Sequence, residues 1–408
     1  MRIVVVSHYF PPEIGAPQAR LSDLARYWAG DGDQVTVLTG MPNHPTGVLP
    51  PEYKGRIRAE EHVDGYRVLR TWLYATPNER VLRKTLCHFS WMLSSIVLGL
   101  RRVGRTDVVI VSSPTFFSIL SGWVIARIRR ARFVVEIRDL WPAIVVELGM
   151  LHNPLLIRAF FGLEMAAYRA ADQVVVVTER FRDDLLRRGV DPDKVHVVRN
   201  GVDVDAFVPN PPDPSVQEWL GAGPGDTLVL YAGAHGISHG LETVAEAAAK
   251  LTYEPVRFAF VGEGAAKRQL LDKLAELDSG NVTTLAGVPH HQVAGLLAAA
   301  DICLVPLRDV PLFGSFIPSK MFECLAAGKA VIGSLQGEPA DILTAAGAVV
   351  VPPEDPDALA DAIRELAADP DRRADMGYRG RSYVVKHFDR RRLATHYRTI
   401  LQQTVNAG

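Results

Sequence analysis

Three cysteines in 408 residues (Cys87, Cys303 and Cys324) are too few for a disulfide framework and show no metal-ligand spacing. That usage fits a reducing cytoplasm. Charge of one sign is also missing: a net charge of −1 gives no global attraction to nucleic acid or to a membrane. The opening run Arg2-Ile3-Val4-Val5-Val6-Ser7 is too short for a signal peptide and reads as a buried first strand. Neither a short-period repeat nor a low-complexity tract is visible. After the first strand, Ser7-His8-Tyr9-Phe10-Pro11-Pro12 lacks the GxGxxG of hydride-transfer enzymes, which argues against a dehydrogenase. The strings Asp31–Asp33, Asp203–Asp205 and Asp355–Asp357 fall in turns or a linker and read as solvated acids, so no metal site is expected.

One segment departs from an ordinary soluble pattern. Thr85–Leu100 is nearly all apolar but is broken by His88, Ser90, Ser94 and Ser95, and it is short for a spanning helix. Residues 80–132 carry ten basic side chains and one acidic one, Asp107. Two readings stand. The helix rests in a membrane interface, with Arg83, Lys84, Arg101, Arg102 and Arg105 beside it, making 80–132 a peripheral membrane contact. Alternatively it is a core helix with snorkelling basic ends.

What the chain has is alternation. Short β-branched runs at Ile3–Ser7, Gln34–Leu38, Val108–Val111, Phe133–Glu136, Gln173–Thr178 and Val195–Val198 are separated by amphipathic segments such as Ala19–Ala29. The pattern restarts at Leu228–Ala232, Arg257–Val261, Val282–Leu285, Ile302–Val305, Ala330–Ile332 and Ala348–Val351. The Pro-rich stretch from Pro209 to Pro214 reads as a linker between the halves. The expectation is α/β, two doubly wound Rossmann-like domains over 1–205 and 206–389, facing across a cleft. A last helix over 390–408 is expected to pack back on the first domain.

The most informative stretch runs from Ser315 to Gly333. It reads as a loop, a helix opened by Pro318, a stop at Gly328 and a short apolar strand. Free N–H groups at that helix start, with Lys320 in the first turn, suit an anionic phosphate. Glu323, one turn on, can accept hydrogen bonds from sugar hydroxyls. Phosphate binder and hydroxyl acceptor together are the chemistry of a nucleotide-sugar site; the plainer reading is an amphipathic helix with a solvated ion pair.

Further motifs carry a family resemblance. They are Asn200-Gly201-Val202-Asp203, Val261-Gly262-Glu263-Gly264, Ala299–Pro306, Pro318–Ile332, Val351–Leu359 and Met376–Arg381 in the C-terminal half. In the N-terminal half it is Phe10–Ala16, and Glu136–Pro142 and Tyr231–Gly236 point to a narrower subgroup. Over nearly its whole length the chain resembles the retaining glycosyltransferases of family 4, which have the two-domain GT-B fold. Within them it looks like bacterial transferases of amino- or deoxy-sugars for surface polysaccharide, of the N-acetyl-fucosamine and colanic-acid type.

The resemblance implies a metal-independent transferase that takes an NDP-sugar, with UDP the expected base, as substrate rather than cofactor. The implied acceptor is a hydroxyl on an undecaprenyl-diphosphate-linked glycan at the inner face of the plasma membrane. A soluble small-molecule acceptor, and a nucleotide-sugar 2-epimerase of similar shape, are the alternatives left open. By the same resemblance Glu323 takes the ribose, and Val288 and Pro289, with His290, meet the base. Ile317, Pro318, Ser319 and Lys320 meet the diphosphate, together with Gly15, Ala16, His235, Gly236 and His239. Arg138 and Asp139 orient the acceptor. Glu263 is either a turn residue or a ligand contact, and Trp141 reads as packing.

Three positions depart from the family pattern. Its paired glutamates would stand at 315 and 323, but this chain has Ser315 with Glu323. Its Arg and Lys for the diphosphate are replaced by Ala234 and His239, which leaves Lys320 as the expected cation. Arg138, not His, precedes Asp139.

Overall fold

The computed structural model describes residues 1–13, 15–44, 46–77, 81–112, 116–139, 142, 146 and 151–407. Its chain forms two units, Met1–Arg199 with Arg391–Gly408, and Asn200–Arg390. The Pro-rich stretch from Pro209 to Pro214 thus belongs to the second unit.

The first unit is built on eight strands: β1 (Arg2–Val6), β2 (Gln34–Gly40), β3 (Arg58–Val63), β4 (Tyr66–Thr71), β5 (Val108–Ser112), β6 (Arg132–Ile137), β7 (Gln173–Val176) and β8 (Val195–Val197). Their order is β3-β4-β2-β1-β5-β6-β7-β8, parallel except for β3 against β4. Strand alternation sends Ile3 and Val5 to one face and Val4 and Val6 to the other. One face is covered by helix Ala16–Gly30, through Leu21, Leu24 and Trp28, and by the last helix, Arg390–Asn406, through Ala394, Tyr397 and Leu401. The Trp28 indole donates to Ala394 O at 3.0 Å, which fixes that last helix in place. The other face is covered by helices Val81–Ser94, Phe116–Arg129 and Pro154–Ala170.

The β3–β4 hairpin was not legible as strand from its polar sequence Arg58-Ala59-Glu60-Glu61-His62-Val63. A signal was there: Asp64-Gly65, with φ of 46° and 84°, is a two-residue turn of the kind that joins antiparallel strands.

The second unit has six parallel strands: β9 (Thr227–Ala232), β10 (Val256–Val261), β11 (Val282–Leu285), β12 (Ile302–Pro306), β13 (Ala330–Ser334) and β14 (Val349–Val351). Their order is β11-β10-β9-β12-β13-β14, so the order reverses beside β9. Ligands of open parallel sheets bind at the carboxyl ends beside such a reversal. The loops following β9, β10 and β12 therefore frame the candidate site.

Candidate active site

The site grows from the end of β9. Tyr231, buried against Phe258 and Phe260 in the core, turns its hydroxyl to Ala234 O at 2.6 Å and so ties down the following loop. That loop is pressed onto the one after β10: Gly233 N donates to Val261 O, and His235 N to Glu263 O, both at 2.9 Å. The contact is so close that a Cβ on Gly262 would lie 1.9 Å from Gly233 O. Only glycine fits there.

Helix Ser319–Ala326 reaches the same place from the other side. It begins after Pro318 with no side-chain cap, and sinks Met321, Phe322, Cys324 and Leu325 into the core. Lys320 and Glu323, three residues apart, remain on its open face. The Lys320 amine lies 3.7 Å from the centroid of the Tyr231 ring. Its stem is half-buried, but the amine itself is sealed from solvent and has no hydrogen-bond partner among the described residues. Burial lowers its pKa to about 7, against weaker opposing pulls from Cys324 and Glu323.

Two histidines complete the ring of bases. His235 is fully buried with neither ring nitrogen partnered among the described residues, and burial, then Lys267 and Lys320, brings it down to about 4. His239 contacts Pro306 O through Nδ1 at 3.4 Å, and burial, then Lys320, lowers it to about 3. Their rings lie 5.7 and 5.9 Å from the Tyr231 ring. Three basic groups thus converge on one aromatic ring, each pushed toward its neutral form by burial. The arrangement is short of negative charge, and an incoming polyanion would supply it.

Glu323 sits at the rim. Its Oε1 lies 3.1 Å from His290 Nε2. The carboxylate side chain is 15% exposed and the histidine 55%, so hydroxyls can replace that ring from the solvent side. Val288 is half-buried and Pro289 exposed, directly before helix His290–Ala299. Ser315 ends the 3₁₀ turn Pro311–Ser315, and Ile317 packs on the core, so both flank the Lys320 helix start. Gly236 opens the turn that carries His239. Glu263 is ion-paired with Lys267 at 2.6 Å and mostly exposed.

The candidates in the first unit stand at its own carboxyl edge. Gly15 directly precedes helix Ala16–Gly30, so Ala16 opens a helix rather than belonging to a loop. Arg138 and Asp139 directly follow β6. Burial raises the Asp139 carboxyl and lowers the Arg138 guanidinium, each opposed by the other's charge. Ile14, Leu140 and Trp141 lie outside the described residues.

Sequence reasoning passed over several groups here. Glu136, at the end of β6, is fully buried between the Arg20 guanidinium at 2.9 Å and the Ser112 hydroxyl at 2.8 Å. Arg20 also donates to Val198 O and Arg199 O. Glu13 accepts from the N–H groups of Phe10, Asn43 and His44, pinning two loops. Tyr231 read only as a strand residue within a motif. Most of these partners are distant in sequence, so no local pattern could have revealed them.

Two sheets of largely parallel strands, each wrapped by helices, are the architecture of a glycosyltransferase of GT-B fold. Residues 15–201 match the "Glycosyl transferase 4-like domain" family and residues 217–383 the "Glycosyl transferases group 1" family, and the chain belongs to the family 4 glycosyltransferases.

Among relatives, it is 25% identical over 382 residues to WcaI of Escherichia coli K12, named as a colanic acid biosynthesis glycosyl transferase, covering 90% of this chain and 92% of that one. It is also 25% identical to the glycosyltransferase WbjE of Pseudomonas aeruginosa, covering 70% and 72% of the two chains. Solved structures agree on the fold. Sucrose-phosphate synthase of Thermosynechococcus elongatus superposes with a TM-score of 0.76 at 21% identity, over 100% and 99% of the chains. The Anabaena protein Alr3699/HepE, in complex with UDP and glucose, gives 0.74 at 16% identity over 98% and 99%.

Proposed function

We propose that this glycosyltransferase moves a sugar, with retention of configuration, from a UDP-activated N-acetyl amino or deoxy sugar to a hydroxyl of a polyprenyl-diphosphate-linked glycan. Its role would then be surface polysaccharide synthesis at the cytoplasmic face of a membrane. The observation that carries the donor half is the buried Lys320 amine, which has a tyrosine ring beneath it and no hydrogen-bond partner among the described residues. A diphosphate seated there meets Lys320, His235 and His239. Breaking the glycosidic bond moves further charge onto the leaving phosphate, so bases already aimed at it favour the transition state over bound substrate.

The remaining contacts follow from position. Glu323 exchanges His290 for the ribose hydroxyls, and the base lies against Val288 and Pro289. Ser315 and Ile317 flank the sugar and diphosphate at the helix opened by Pro318 and Ser319, with Gly236 across from them; Glu263 holds the neighbouring loop through Lys267. In the first unit, Arg138 and Asp139 orient the acceptor, and Gly15 and Ala16 present backbone to phosphate. Charge compensation falls to these protein groups. The UDP complexes of Alr3699/HepE and the polysaccharide name of WcaI support the donor base and the pathway class.

The lipid-linked acceptor is supported by the exposed apolar and basic surface of residues 80–132. Among the described residues no helix is long and apolar enough to cross a membrane, so contact there would be peripheral.

The test is a panel of UDP-, GDP- and dTDP-sugars incubated with and without lipid-linked acceptor. UDP release that needs the acceptor is expected, and Glu323→Ala should abolish it with the fold intact. An altered sugar nucleotide formed without acceptor would mean epimerisation instead. A fully active Glu323→Ala enzyme would remove the ribose assignment.

A further inference from the structure

The segment after β4 alternates: Trp72 is 42% exposed, Leu73 is 1% and Tyr74 is 45%. The two aromatics therefore face outward while Leu73 enters the core. Beside them, helix Val81–Ser94 and the π turn Ser95–Gly99 present Leu86, Phe89, Leu93 and Val97 to solvent at helical spacing. Between the strand side and the helix side runs a furrow of about 600 Å³, within the range of small-molecule sites.

Its two serine hydroxyls are already used. Ser90 Oγ accepts from Tyr74 N and donates to Cys87 O, both at 2.8 Å. Ser94 Oγ donates to the backbone of Trp72 and Trp91. The seam is stitched shut from within, and the furrow offers a ligand chiefly apolar contact. Apolar surface organised in this way marks a binding face rather than chance exposure.

The furrow has direction. At one end, Lys84 lies near enough to act electrostatically on His8, His44 and His88, and His8 follows β1 at the carboxyl edge of the sheet. At the other, Val103, Gly104 and Arg105 border Arg2 and Gln34 at the amino ends of β1 and β2. It therefore leads away from the edge where ligands of parallel sheets bind. Arg83 and Lys84 supply cationic charge at its upper end, complementary to an anionic head group. Trp72 and Tyr74 wall the furrow on one side and Leu86, Phe89, Leu93 and Val97 on the other, and its cationic end distinguishes a diphosphate-bearing chain from plain hydrocarbon.

We propose that this furrow is the seat of the isoprenoid chain of the acceptor, with its diphosphate held at the end marked by Arg83 and Lys84. The inference rests on the lipid-linked acceptor reading given above.

The test is calorimetric titration of the full chain with farnesyl diphosphate, and with inorganic diphosphate as the head group alone. UDP is kept at saturation to fill the second unit. Farnesyl diphosphate should bind at least about tenfold more tightly than inorganic diphosphate, and Leu93→Asp, at an exposed position, should weaken it about tenfold without changing thermal unfolding. Equal affinity for the two probes, or an unchanged Leu93→Asp variant, overturns the proposal. So does flotation of the protein with phosphatidylglycerol vesicles free of isoprenoid when farnesyl diphosphate does not bind, because the face is then a bilayer contact. Turnover is read separately. If farnesyl diphosphate binds as expected but no diphosphate-linked glycan supports UDP release, the acceptor reading fails and the hydrocarbon site stands.

Discussion

The two units solve the same sheet-and-helix packing problem and leave opposite needs unmet. In the second, Lys320, His235 and His239 gather round Tyr231 with no acid hydrogen-bonded to them among the described residues, while exposed apolar side chains such as Trp219, Tyr253 and Tyr378 are scattered. In the first, buried carboxylates are satisfied: Glu136 by Arg20, and Glu13 by three backbone N–H groups. What stays open there is hydrocarbon surface, from Trp72 to Val97. One unit is short of negative charge and the other of apolar contact. In the proposed reaction, a donor rich in phosphate and an acceptor carrying a lipid would answer those two needs separately.

The contrast fails most visibly if the paired charges of the first unit prove dispensable. Glu136→Ala leaves Arg20 buried without its carboxylate and should cost about 3–5 kcal/mol in a denaturation experiment, with UDP binding by the second unit little changed. A loss below about 1 kcal/mol would mean that the pair is not a structural element of that unit. Next in size, Lys320→Ala should lower kcat/KM by about 10²–10³-fold without lowering the melting temperature, since it removes stabilisation of the leaving phosphate. An unchanged rate would remove the charge half of the contrast.

Acidity sharpens it further. A diphosphate favours the charged amine, so with a free-state pKa of about 7 the site takes up a proton on binding UDP above that pH. UDP affinity should then fall by up to about tenfold per unit as pH rises above 7, and Lys320→Gln should flatten that slope. Stability without ligand runs the other way. The amine's pKa is lower folded than its ordinary 10.5, so unfolding takes up a proton and stability rises with pH between about 7 and 10.5. Titrations of UDP affinity and of unfolding midpoint over that range check both signs. The smallest effect expected is Tyr231→Phe, which keeps the ring under Lys320 and loses the bond to Ala234 O, costing about 0.5–1.5 kcal/mol in unfolding free energy.

Much of this was legible before any fold was known. β-branched runs spaced by amphipathic segments mark a parallel sheet, and Pro318 with Gly328 brackets a helix whose first turn carries Lys320. What local pattern could not show was depth. His235 and His239 lie in a glycine-rich turn whose sequence gives no sign of burial, and the close approach of Gly262 and Gly264 to the Gly233–His235 loop packs His235 inside. The segment Thr85–Leu100 is nearly all apolar and its few polar residues His88, Ser94 and Ser95 turn inward, so its sequence does not say which face looks outward. The answer comes from Cys87, Trp91 and Met92 packing inward and leaving Leu86, Phe89 and Leu93 at the surface. The β3–β4 hairpin escaped because its residues are polar, although Asp64-Gly65 marks its turn.

The most direct measurement is a crystal structure of the chain with UDP bound. A diphosphate oxygen should lie within hydrogen-bonding distance of Lys320 Nζ, and the ribose hydroxyls should sit on Glu323 with His290 displaced. A diphosphate seated away from both side chains, with Lys320 still folded over Tyr231, would contradict that arrangement.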